Sequence, residues 1–95
     1  MTNLYKIKAR ARALASERGD GVRELVDDVF QAADDEVSNN AFNFDADDEA
    51  NDTIAIVDDW AWMSPGKWHQ TASYGEETTI AAQDAVKQAL RAFGE

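Results

Sequence analysis

Hydrophobic positions along the chain fall into successive blocks, and their spacing changes character midway. Residues 3 to about 17 place Leu4, Ile7, Ala11 and Leu14 at helical spacing, and the alanine content favours a helix. Residues 5 to 13 also alternate polar and apolar, so a strand competes there. "GDG" at 19 to 21 then breaks the chain, with Asp20 placed to cap a second helix. From about 21 to 38 the pattern is sharpest. Val22, Leu25, Val26, Val29, Phe30, Ala33 and Val37 form one apolar stripe at helical spacing.

The second half reads differently. "NNAFNFDADDEAND" is turn-rich, and "AFNF" within it fits a short edge strand with Phe42 and Phe44 on one side. Residues 53 to 63, "TIAIVDDWAWM", read as a strand, because Ile54, Ile56, Trp60 and Trp62 share a face by period-two counting. Asp58 lands on that same face, which requires a bulge at Asp58-Asp59. "SPGK" at 64 to 67 supplies a turn, and "KWHQTASY" returns as the partner strand of a hairpin. The last block, about 78 to 93, is helical again. Thr78 or Thr79 caps it, and Ala82, Val86, Ala89, Leu90 and Phe93 make its buried stripe. The expectation is one α+β domain over residues 1–95: two N-terminal helices, a small antiparallel sheet (a hairpin, with "AFNF" a possible third strand) and a C-terminal helix.

Composition narrows the function classes. With 44% hydrophobic residues the chain can bury a core. It has no cysteine, which excludes a disulfide framework, thiolate zinc sites and cysteine nucleophiles, and fits a reducing cytoplasm. The basic N-terminal stretch lacks a signal-peptide apolar core, and no apolar run reaches the roughly 20 residues of a membrane span. The formal net charge is −10, so direct binding to nucleic acid or an anionic membrane is disfavoured and a basic partner is expected.

That charge is unevenly placed. Residues 1 to 23 carry Lys6, Lys8, Arg10, Arg12, Arg18 and Arg23 against only Glu17 and Asp20, whereas residues 24 to 59 carry no base at all. On the second helix Glu24, Asp27, Asp28, Asp34 and Asp35, interrupted by Gln31, fill the arc opposite the apolar stripe, about 120° wide at about 100° per residue. Glu36 and the loop Asp45, Asp47, Asp48, Glu49 and Asp52 extend the track. Like charges at i, i+3 and i, i+4 each cost a few tenths of a kcal/mol, so helix stability alone does not select this face. General solubility or adaptation to high salt predicts acid spread evenly along the chain. The basic first quarter and the balanced last third argue against it. The basic first helix has three readings: it grips phosphate, offsets the acidic helix across "GDG", or lies solvated.

Catalytic and metal chemistry find little support. Acid–base work needs two carboxyls in different environments; only Asp58, beside Trp60, is near an apolar face, and the plain reading is a bulge residue bonded to backbone amides. Asp47, Glu49, Asn51, Thr53 and Asp58 loosely follow calcium-loop spacing, but Asp52 stands where the sharp-turn glycine belongs and the series ends in Asp. His69 is the only histidine, leaving zinc short of ligands. No nucleophile triad, phosphate loop or dinucleotide fingerprint is present. No metal, no cofactor and no catalytic residue is expected.

Glu24 to Asp35 spans about 16 Å of helix at about 1.5 Å per residue, and one strand of a duplex presents a phosphate every ~3.4 Å. The five carboxylates therefore match one phosphate strand in spacing. In size, acidity and lack of catalytic residues the chain resembles the small phage-encoded DNA mimics, which include anti-CRISPR proteins, anti-restriction proteins and uracil-glycosylase inhibitors. That resemblance implies a non-enzymatic inhibitor in the bacterial cytoplasm that blocks a basic nucleic-acid-binding surface of a host defence complex, with the acids named above as contacts. The alternative is an acidic adaptor or assembly protein whose Trp60, Trp62 and Trp68 hairpin makes the interface.

Overall fold

The structure, a computed structural model, describes residues 4–40, 46–63 and 74–93. Among them the elements are four helices: α1 (Leu4–Arg18), α2 (Asp20–Asn40), α3 (Ala46–Ala61) and α4 (Glu76–Phe93). No strand occurs among the described residues. The α+β expectation is therefore overturned, and the fold is a helical bundle.

α1 and α2 form an antiparallel pair joined by a single residue. Gly19 takes φ +140°, a conformation that a side chain at Cβ resists. Its amide donates to Ala15 O and its carbonyl accepts from Arg23 N–H, so it closes α1 and opens α2 at once. Asp20 is not the cap. It sits in the first turn of α2, where its carboxylate faces the positive end of the helix.

All seven residues of the α2 stripe are buried, with Leu25, Val26, Val29 and Ala33 fully inaccessible. Six of them, all but Val37, pack with Ile7, Ala11, Leu14 and Ala15 of α1 into one core. α4 adds Ala82, Ala85, Val86 and Ala89, each at 0% exposure, while Leu90 and Phe93 cover the core's edge. α1 packs on α4 with alanine on both sides, and such small side chains let helix backbones approach closely. α1 and α3 scarcely meet, which puts them on the bundle's diagonal.

The main correction concerns residues 53 to 63. They continue a helix that begins at Ala46, and the buried residues Thr53, Val57, Trp60 and Ala61 follow helical spacing. Trp60 is 2% exposed and Trp62 is 64% exposed, so they do not share a face. Two residues are about 200° apart around a helix, against same-side in a strand. Asp58 turns out to solvent for the same reason, and no bulge is needed. The helical solution hydrogen-bonds its own backbone, whereas an isolated hairpin is marginal in water. Tyr74 lies in a short turn, not in a return strand. "AFNF", "SPGK", Trp68 and His69 lie outside the described residues.

Neither Thr78 nor Thr79 caps α4. Gly75, at φ +82°, opens the helix, and its carbonyl accepts from both the amide and the hydroxyl of the buried Thr79. The other end of the α3–α4 connection is fixed by a side chain. Gln83 of α4, 5% exposed, donates through Nε2 to Trp60 O and to Met63 O, both at 2.8 Å. Two carbonyls at the C-terminus of α3 are thus satisfied from a neighbouring helix. Gln83→Leu is expected to cost about 0.5–1.5 kcal/mol for each of the two hydrogen bonds lost, since Trp60 O keeps the Met63 amide as a donor, lowering the melting temperature by roughly 4–8 °C for each kcal/mol in a domain of this size. Thermal denaturation followed by circular dichroism checks this, and an unchanged melting temperature rejects the clasp.

Candidate functional site

Burial of the α2 stripe decides what its other side displays. Glu24, Asp28, Asp34 and Asp35 are exposed on that side, whereas Glu36, also exposed, lies off the acidic arc and borders a recess with Ile56, Asp59, Trp60 and Met63. Asp27 is not free: Arg12 Nε of α1 lies 2.7 Å from its Oδ1 in an ion pair without hydrogen-bond alignment, and both side chains stay partly open to water. Of the three readings of the basic first helix, this contact supports offset of the acidic helix across the Gly19 turn. It does so for one carboxylate. Gln31, the neutral interruption, donates to Asp35 Oδ1 at 3.0 Å and leaves its charge in place.

Asp28 is held from another direction. The Tyr74 hydroxyl, just ahead of α4, donates to Asp28 Oδ2. This hydrogen bond, then partial burial, then the negative charges of Asp28 and Glu24, push the Tyr74 phenol up to about 12. The contact orients the carboxylate without neutralising it.

The second set of predicted contacts is arranged differently from a loop. Asp47, Asp48 and Glu49 are residues of the first turn of α3. Asp52 is exposed one turn further on and Glu49 is half-buried. Asp45 and the side chains of Asp47 and Asp48 lie outside the described residues. The calcium-like register runs along this helix instead of wrapping a cation. Among the described residues no group of three or more His, Cys, Asp or Glu side chains is disposed to hold a metal ion. No helix among them is long and apolar enough to cross a membrane.

Sequence reasoning missed Tyr74 and Gln83. The first is 46 positions from its partner, and no local signal links the two. Gln83 was legible only as a polar residue inside an apolar stripe, flanked by Ala82 and Val86. Arg12 and Asp27 stand nearly symmetrically about Gly19, and that spacing is the signal for a cross-hairpin pair.

No known protein family, curated protein or solved structure was found to match the chain.

Because the folded state favours neutral Tyr74, its contribution to stability is complete below the ordinary phenol value of about 10 and is lost as pH rises through about 12. Tyr74→Phe is expected to remove the phenolate absorbance step near pH 12 and to flatten the fall in stability above about pH 10. Spectrophotometric titration and denaturant melts across this window are the check; an unaltered titration curve in the variant contradicts the assignment.

Proposed function

We propose that this protein is a non-enzymatic binding protein whose α2 outer face occupies a basic groove built for a nucleic-acid backbone. One observation carries the reading: the buried stripe of α2 forces Glu24, Asp28, Asp34 and Asp35 outward along a single rigid axis, while Asp27 of the series is paired with Arg12. A helix holds its side-chain origins at fixed spacing, so the charges reach a partner already ordered. Docking of such a face against clustered Lys and Arg releases the counter-ions that phosphates otherwise displace.

The finer reading rests on the resemblance to phage-encoded DNA mimics. It makes the target a host defence complex and the setting the bacterial cytoplasm. Supporting it are the small size, the net charge of −10 and the segregation of acid from base along the chain. The α2 acids are the principal contacts, with Asp52 and the first turn of α3 as an extension beyond the end of α2.

Charge reversal tests the proposal. A Glu24→Lys, Asp28→Lys, Asp34→Lys, Asp35→Lys variant is expected to fold, since these side chains are exposed. In capture from bacterial lysate, wild-type protein is expected to retain a basic nucleic-acid-handling partner that DNA displaces and salt releases. The variant is expected to bind that partner at least about 100-fold more weakly, near 2.7 kcal/mol, with a shallower salt dependence. Equal capture and equal salt slope for both proteins reject the proposal.

A further inference from the structure

Between α3 and α4 lies an open recess of about 350 Å³, at the lower end of the size that small ligands occupy. The two helices run antiparallel here, since Gln83 and Lys87 meet the end of α3 while Leu90 and Arg91 meet its middle. Ile54 and Leu90, both packed on the edge of the core, make an apolar floor. Trp62 stands at one end, 64% exposed, with Lys87 Nζ 4.2 Å from its ring centroid.

The two walls are opposite in charge. The α4 wall carries Lys87 and Arg91, one turn apart, and the α3 wall carries Asp58. Elsewhere in the molecule such facing charges close into pairs, as Arg12 does with Asp27 and Arg18 with Asp84. Here they stay apart: among the described residues neither Lys87 nor Arg91 is in an ion pair, and the Asp58 carboxylate accepts no hydrogen bond. This arrangement selects among ligands. A simple anion with an apolar body is attracted by the bases but repelled by Asp58, and a simple cation meets two bases across the recess. A zwitterion satisfies both walls. An α-amino acid presents a carboxylate and an ammonium on adjacent atoms of one carbon, and a large apolar side chain covers the floor and meets the indole.

We propose that the recess between α3 and α4 binds a free α-amino acid with an aromatic or large aliphatic side chain. Its carboxylate lies toward Lys87 and Arg91, its ammonium toward Asp58, and its side chain over Ile54 and Leu90 beside Trp62. The site uses none of the α2 acids and stands independently of the function proposed above.

NMR titration of the isotope-labelled full chain with L-phenylalanine tests it. Saturable shifts are expected at the Trp62 indole N–H and at the Ile54 and Leu90 amides, with a Kd on the order of 1 mM for so small a ligand. N-acetyl-L-phenylalanine lacks the ammonium and L-phenylalaninamide lacks the carboxylate. Each is expected to bind at least about tenfold more weakly, the loss of one charge-assisted contact. Asp58→Asn is expected to erase the advantage over the N-acetyl form and keep that over the amide. Lys87→Gln with Arg91→Gln is expected to do the reverse. The comparison of the three ligands on the unaltered protein decides the matter even if a variant fails to fold. No shift at these signals up to about ten times that concentration overturns the proposal, and so does equal affinity for the three ligands. Shifts confined to other residues overturn the location.

Discussion

The apolar stripe of α2 can be buried in only one orientation, and the rest of the molecule is arranged around that fact. Leu25, Val26, Val29, Phe30 and Ala33 are almost completely removed from water. Each such side chain contributes on the order of 1.5–3 kcal/mol when buried, apart from the smaller alanine. Turning the helix to hide its acids instead would forfeit most of that gain and would also desolvate several carboxylates. The outward display of Glu24, Asp28, Asp34 and Asp35 is therefore a consequence of core formation, and the mutual repulsion of a few tenths of a kcal/mol per pair is too small to resist it.

The remaining helices answer to the same core. α1 presents Ile7, Ala11, Leu14 and Ala15, and α4 presents a run of alanines with Val86. Little of this comes from large side chains, so close approach of backbones replaces bulk as the source of packing. Trp60 is the exception. It fills the α3 side of the core at 2% exposure and is pinned through its carbonyl by Gln83. The clasp also sets where α3 ends, and so where Trp62 and Met63 emerge.

Charge is organised on two levels. Short-range contacts, Arg12 with Asp27, Arg18 with Asp84 and Tyr74 with Asp28, tie α1 to α2, α1 to α4 and the start of α4 to α2 at modest energetic gain, since all three are open to solvent. Long-range asymmetry is larger in effect. One side of the molecule, the outer face of α2, is a nearly continuous anion, while the outer face of α4 balances its signs.

Helices α1, α2 and α4 were legible from local periodicity, because an apolar stripe at helical spacing with polar residues opposite admits few other folds. The stripe of α2, its acidic face and most of the α4 core could be read directly. Residues 53 to 63 could not. Ile54, Ile56, Trp60 and Trp62 satisfy a period of two, Thr53, Val57, Trp60 and Ala61 satisfy a helical period, and β-branched residues tilt local propensity toward the strand. Packing decided the matter: as a helix the segment buries Trp60 and Val57 against α2 and α4 while turning Asp58 and Asp59 to water. The Gln83 clasp and the Tyr74–Asp28 bond likewise exist only in three dimensions, since their partners are 20 or more positions apart and no pattern within one helix encodes a contact between two.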